Sequence, residues 1–183
     1  PGSALKPIVY AAALENGFAP NSIILDAPFV ESQGAGLKNW KPENYGKKFY
    51  GPSTFRKGIE KSRNLMTVRV AQEVGFNEIS KITKNFGIYD DVPELLSVSL
   101  GAAETTLIKL TNAYCSFVNG GKKVSPIFID RIQNRRGKTI FNADKRKCLG
   151  CEEISYLKDE IPTIKDNRQQ IISPETAYQI TSM

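Results

Sequence analysis

Pro1-Gly2-Ser3-Ala4-Leu5-Lys6-Pro7 sets a serine and a lysine three residues apart. On a helix that spacing puts both on one face, about a turn apart, so the lysine amine can reach the serine hydroxyl. The amine can take the hydroxyl proton only when it is itself neutral. Its pKa must therefore be lowered by burial or by a neighbouring donor. A serine at a helix N-terminus also has free N–H groups and the helix dipole beside it, and both stabilise developing negative charge. Lys61-Ser62-Arg63-Asn64 adds a second serine with an asparagine two residues on. These fall in a turn between two predicted helices, where the outer residues of the tripeptide project the same way into one cleft. The chain has no histidine. A Ser-His-Asp hydrolase is excluded, and an activated serine here must use lysine or a carboxylate as its base. Each motif also has a plain structural reading, with Ser3, Ser62 and Asn64 as helix caps and Lys6 as a surface cation.

The elements that must hold these residues are mostly helical. A helix is expected from about Ser3 to Asn16, with Leu5, Ile8, Val9, Ala12 and Ala13 as its apolar face. Pro7 lies in its first turn and Gly17 ends it. Residues 20 to 52 are dense in Pro and Gly and read as a long loop packed over a site. Ser53 is expected to cap a short helix to Lys61, a second helix follows from about Leu65 to Gly75, and Asn77 caps a third. Thr105 starts a longer helix, with Leu107, Leu110, Tyr114, Phe117 and Val118 on one face. The period then changes. Residues 128–132 and 138–141 alternate like strands around Asn134-Arg135-Arg136-Gly137, a hairpin signal. Residues 142 to 170 read as a charged loop. Ser173-Pro174 opens a last helix, as N-cap followed by proline at the first helical position.

Bulk properties exclude several classes. At 183 residues and 40% hydrophobic, the chain fits one domain or part of one, and no run approaches the ~20 apolar residues of a membrane-spanning helix. It shows no signal peptide, and both ends look cut: Pro1 is no initiator methionine, and residues 178–183 read as mid-helix. The net charge of +6 gathers in Arg135-Arg136-Gly137-Lys138 and Lys145-Arg146-Lys147. No aromatic-interleaved basic stripe accompanies these clusters, so they read as solvated turns and no nucleic-acid partner is expected. Of three cysteines, Cys148 and Cys151 form a C-x-x-C in a charged loop, either bridged or as free thiols, and Cys115 reads as a small buried hydrophobe. Zinc would want two more soft ligands, so neither a metal nor a cofactor is expected. Gly137-Lys138-Thr139 is no P-loop, because Ile132 stands where the first glycine belongs.

Ser-x-x-Lys, Ser-x-Asn and Lys-Thr-Gly are the signature set of penicillin-binding proteins and serine β-lactamases. The first two are present, and the nearest approach to the third is Lys138-Thr139-Ile140. The chain resembles the transpeptidase domain of a class A penicillin-binding protein, over nearly its whole length and in family order. Residues 1–7 match the nucleophile segment, and Trp40-Lys41-Pro42-Glu43-Asn44-Tyr45 resembles a Trp-x-Pro-x-Asn loop. Gly51-Pro52-Ser53-Thr54-Phe55-Arg56 leads into Ser-x-Asn. Leu100-Gly101-Ala102-Ala103-Glu104, the helix through Tyr114 to Gly121, and the hairpin after Pro126 are also family-like.

The resemblance implies a mostly α chain with a β-hairpin, the helical part of the penicillin-binding transpeptidase (β-lactamase-like) α/β fold, with its central sheet largely missing. Residues 1–121 would be the helical part with the site motifs, 122–172 the hairpin and charged C-x-x-C loop, and 173–183 the start of a further helix. It implies that Ser3 attacks the D-Ala-D-Ala carbonyl of a peptidoglycan stem peptide, that Lys6 takes the Ser3 proton, and that Ser62 relays a proton to the leaving amine. Asn64 would hold the substrate backbone and Lys6. β-Lactams would acylate Ser3. The implied setting is the cell-wall synthesis machinery on the periplasmic side of a bacterial inner membrane, with the membrane reached only through a missing N-terminal segment. Without a Lys-Thr-Gly strand the chain alone is expected to be inactive, and its uncovered apolar faces favour self-association. A serine β-lactamase or D,D-carboxypeptidase of the same superfamily, and a non-catalytic cell-wall scaffold module, are the alternatives.

Overall fold

The computed structural model describes residues 1–32, 36–146, 148–149 and 163–183. The described chain divides into two compact units, one of Pro1–Val124 with Gln170–Met183 and one of Ser125–Gln169.

The first unit is built around helix α1 (Lys6–Glu15), which continues from a 3-10 turn at Gly2–Leu5. The expectation of one apolar face is corrected here. Every residue from Ile8 to Leu14 is buried, so α1 is apolar all round and runs through the core. Tyr10 and Ala11 complete the ring that the sequence reading left out. Helices α2 (Phe55–Glu60), α3 (Asn64–Val74), α4 (Phe76–Asn85), α5 (Leu107–Val118) and α6 (Pro174–Ser182) follow in this unit, with a second 3-10 turn at Leu96–Leu100. Helices α2, α3, α4 and α6 pack against α1. Glu15, at the end of α1, accepts hydrogen bonds from the Ser173 amide and hydroxyl at 3.0 and 2.8 Å, tying α6 to it.

The caps differ from the sequence reading in two places. Thr54, the last residue of a strand, caps α2 in place of Ser53, accepting from the Lys57 amide three residues on. The helix α4 begins at Phe76, directly after Gly75 (φ 87°), so Asn77 lies inside it. Ser173 caps α6 as expected, accepting from the Thr176 amide. The Pro- and Gly-rich stretch also contains strands: β1 (Ile23–Asp26) pairs antiparallel with β2 (Gly51–Thr54). Pro52 in β2 disguised the pair, but in a two-stranded sheet both strands are edges and tolerate a proline.

On α5, Ala113, Ser116 and Phe117 face inward, while Leu107, Val118 and Cys115 are exposed. Cys115 is thus a surface thiol and not a core residue. Pro7, Tyr114, Phe117, Val118 and Ile180 line an open, largely apolar groove of about 490 Å³.

The second unit holds β3 (Arg131–Gln133) paired with β4 (Thr139–Asn142), and β5 (Cys148–Leu149) paired with β6 (Thr163–Ile164). The β3–β4 hairpin is the expected one, with a register shift after Ile132. The β5–β6 pair lies where a loop was expected, too short to leave a periodic signal. Cys151 lies outside the described residues. Among those residues no helix is long and apolar enough to cross a membrane.

Candidate active site

The Lys6 side chain, only 2% exposed, is held by three acceptors. Its Nζ donates to the Ser62 carbonyl at 2.7 Å, to Ser62 Oγ at 3.0 Å and to Asn64 Oδ1 at 2.6 Å. These use all three hydrogens of an ammonium group. Burial pushes the Lys6 pKa down to about 8, since a charged amine is disfavoured away from water. The site can therefore hold either form near neutral pH. When the amine is neutral, the Ser62 hydroxyl can turn and donate to it, a route for a proton between the two.

Ser62 meets Lys6 with both its carbonyl and its hydroxyl because its backbone is left-handed, φ 51°, a conformation that costs a non-glycine residue about 1–3 kcal/mol. The turn is pinned on both sides, with the Ser62 amide donating to the Ile59 carbonyl and the Arg63 amide to the Gly58 carbonyl. Arg63 stacks its guanidinium 3.2 Å above the centre of the Tyr50 ring. The Asn64 amide nitrogen donates to the Glu43 carbonyl at 2.7 Å, which turns its oxygen toward Lys6.

Ser3 lies in the 3-10 turn, exposed, one turn before Lys6. The structure thus brings Lys6, Ser62 and Asn64 into direct contact. No hydrogen bond joins the Ser3 side chain to them among the described residues. Two contacts fix the Ser3 segment. The Gly2 amide donates to the Gly101 carbonyl at 3.1 Å, and the Tyr114 hydroxyl donates to the Ala4 carbonyl at 2.7 Å. Gly101 (φ 79°) approaches the Gly2 backbone so closely that a Cβ would collide with it. That close approach gives Leu100-Gly101-Ala102 a place in the site that its sequence signalled only as a likeness. Tyr114, read as a core face residue, instead orients the serine's turn. Among the described residues no group of His, Cys, Asp or Glu side chains is placed to hold a metal ion.

The model of the penicillin binding protein transpeptidase domain matches residues 1–183. The chain belongs to the penicillin-binding protein transpeptidase family. Penicillin-binding protein 1A of Rickettsia bellii is 47% identical over 187 residues, covering 100% of this chain and 23% of that protein. Penicillin-binding protein 1A of Pseudomonas aeruginosa is 42% identical over 146 residues, covering 79% of this chain and 18% of that protein. The chain therefore spans about a quarter of the length of the Rickettsia relative. Among solved structures, penicillin-binding protein 1A of Haemophilus influenzae superposes with a TM-score of 0.81 at 34% identity, over 98% of this chain and 28% of that one. Penicillin-binding protein A of M. tuberculosis, solved as an imipenem acyl-enzyme complex, superposes with a TM-score of 0.73 at 20% identity, over 100% of this chain and 42% of that one. The likeness to both carries the transpeptidase fold expected from the sequence, of which this chain holds a mostly helical part.

Proposed function

We propose that these residues form the nucleophile side of a peptidoglycan D,D-transpeptidase that works through a serine acyl-enzyme. The observation that carries this reading is the buried Lys6 amine, poised by burial to lose its proton and held one helical turn from Ser3 by Ser62 and Asn64. Ser3 Oγ attacks the carbonyl of the penultimate D-alanine, and Lys6 takes its proton. The bond to the terminal D-alanine then breaks, and Ser62 passes a proton from Lys6 to the departing amine. The amine of a second stem peptide attacks the acyl-enzyme and forms the cross-link, releasing Ser3. β-Lactams, which acylate the M. tuberculosis relative in its imipenem complex, are proposed to acylate Ser3 in the same way. The setting proposed is the periplasmic face of the bacterial inner membrane.

Lys-Thr-Gly does not occur in these 183 residues. The family places it against the nucleophile, so the 183 residues alone are proposed to be inactive. Self-association through the apolar groove beside α5 and α6 is part of the same proposal, and a monomer at every concentration in sedimentation would remove that part. The central test is mass spectrometry of the full-length protein after incubation with a penicillin. One acyl adduct on Ser3, lost in Ser3→Ala, is the expected result. An adduct that persists in Ser3→Ala sinks the assignment. Rapid turnover of a chromogenic cephalosporin would favour a β-lactamase instead.

A further inference from the structure

The Ser62–Asn64 turn is held from outside itself. Helix α3 begins at Asn64, and Arg63 before it supplies no side-chain cap. The free amides at the helix start go instead to Asn44, distant in sequence, whose Oδ1 accepts from the Asn64 amide at 2.9 Å and the Leu65 amide at 3.3 Å. Asn44 is buried, and its nitrogen donates to Asp26 Oδ1 at 2.8 Å and to the Lys48 carbonyl at 2.9 Å. A carboxylate accepts only, so Asp26 decides which way the Asn44 amide is turned: nitrogen toward Asp26, oxygen toward α3. Asp26 is fully buried, and its other oxygen lies 3.9 Å from Arg63 Nε, so it also holds the middle residue of the turn by charge. The neighbouring Glu43 carbonyl takes the Asn64 nitrogen and leaves the Asn64 oxygen for Lys6. Four residues earlier, Trp40 packs edge-on against Phe29 (ring centroids 6.3 Å apart), in a cluster with Leu65 and Val68 of α3. One short loop is thus rooted under α3 and caps it.

We propose that Asn44 is a positioning residue of the active site, oriented by Asp26: it sets the place of Asn64 and, through Asn64, the acceptors of Lys6, without touching substrate. The inference rests on the proposed acylation of Ser3 and names a residue that acts behind it. If Asn64 drifts, Lys6 loses one of its three acceptors, and the amine is no longer fixed at the Ser62–Asn64 turn.

The test is acylation of the full-length protein by a fluorescent penicillin, read as both rate constant and final labelled fraction. Asn44→Ala is expected to slow the rate constant at least tenfold, to leave the final labelled fraction near that of the unaltered protein, and to move the midpoint of the rate–pH profile. A reduced labelled fraction with an unchanged rate constant and midpoint would mean that Asn44 only supports folding, and would overturn the inference. A second pair of variants covers the case in which Asn44→Ala does not fold. Asn44→Asp sets a carboxylate against Asp26 and is expected to slow acylation. Adding Asp26→Asn restores a donor facing an acceptor and is expected to recover at least tenfold of the loss. A double variant no faster than Asn44→Asp alone overturns the proposal. Labelling that survives Ser3→Ala removes the acylation reading and this inference with it. Ser3 labelling at full rate in Asn44→Ala removes this inference alone.

Discussion

Between Pro1 and Val124 the chain buries a lysine, an aspartate and an asparagine, and each of them is held by residues far away in sequence. Between Ser125 and Gln169 two of the ion pairs among the described residues join neighbours two residues apart. Asp144 accepts from Arg146, and Asp166 from Arg168, all on the surface. The residues of β3 and β4 are exposed throughout, and their hairpin is closed by Asn134, whose side chain accepts from the Arg136 and Lys138 amides. Surface ion pairs of this kind contribute little to stability, because water and salt screen them. The same residue types therefore have different physical weight in the two units. A buried charge must be matched by distant partners or its pKa shifts, and that coupling makes the first unit suited to chemistry. Among its described residues the second unit shows turn chemistry within a few residues and no comparable buried charge.

The largest expected effect breaks or upholds this contrast directly. Lys6→Ala in the full-length protein is expected to slow penicillin acylation about 10³-fold, the scale of a lost general base. Alanine at Arg146 is expected to leave it unchanged. Equal losses from both variants would erase the distinction between the units. The pH dependence sharpens it. Lys6 titrates near 8 in the folded chain, below the 10.5 of a free lysine. Acylation should therefore rise about tenfold per pH unit below 8 and level off above, following the neutral amine. Between pH 8 and 10.5 the unfolded chain binds the extra proton, so this residue's contribution to folding stability rises with pH across that window. A flat rate profile from pH 6 to 9 would show that Lys6 is not the base.

The local elements were readable from sequence, while the couplings among them were not. Pro7, Gly17 and Ser173 marked helix ends through chemistry that acts within a few residues, and the Asn134–Gly137 turn did the same for the hairpin. Lys6 with Ser62 and Asn64 was legible because Ser-x-x-Lys and Ser-x-Asn occur together in a chain whose other segments resemble the same family. Asp26 left no signal, and Asn44 was marked only as the last residue of the Trp-x-Pro-x-Asn likeness, with no role attached: one stands at the end of a strand hidden among prolines and glycines, and the other caps a helix from 20 residues away. The all-round burial of α1 was missed for a related reason. Tyr10 and Ala11 complete its core faces only when partners lie on every side, and periodicity within one helix cannot report that.

Packing around α1 gives the next prediction. A Cβ at Gly58 would meet Tyr10 Oη at 2.5 Å and Met66 Cε at 2.9 Å, both in the buried core. Gly58→Ala is expected to cost about 1–3 kcal/mol, as an overpacked interior does. Because the Gly58 carbonyl also holds the Arg63 amide, acylation should slow in the folded molecules. Thermal unfolding that matches the unaltered protein would mean that the core gives way at no cost, and that the first unit is less tightly coupled than its buried charges suggest.

The smallest effect is expected in the hairpin. Gly137 sits at φ 77° and donates its amide to the Asn134 carbonyl, in the position where a three- or four-residue hairpin turn needs a left-handed residue. Alanine there costs about 1 kcal/mol, because its Cβ crowds the following carbonyl oxygen. Hydrogen exchange of the amides in Arg131–Gln133 and Thr139–Asn142 should speed up in Gly137→Ala, since these strands have little buried surface to offset the loss. Exchange in α1 and α3 should stay as it was, and so should the rate of penicillin acylation. Faster exchange in α1, or slower acylation, would show that the second unit supports the site after all, and that the contrast between buried coupling and local turn chemistry does not follow the division of the chain.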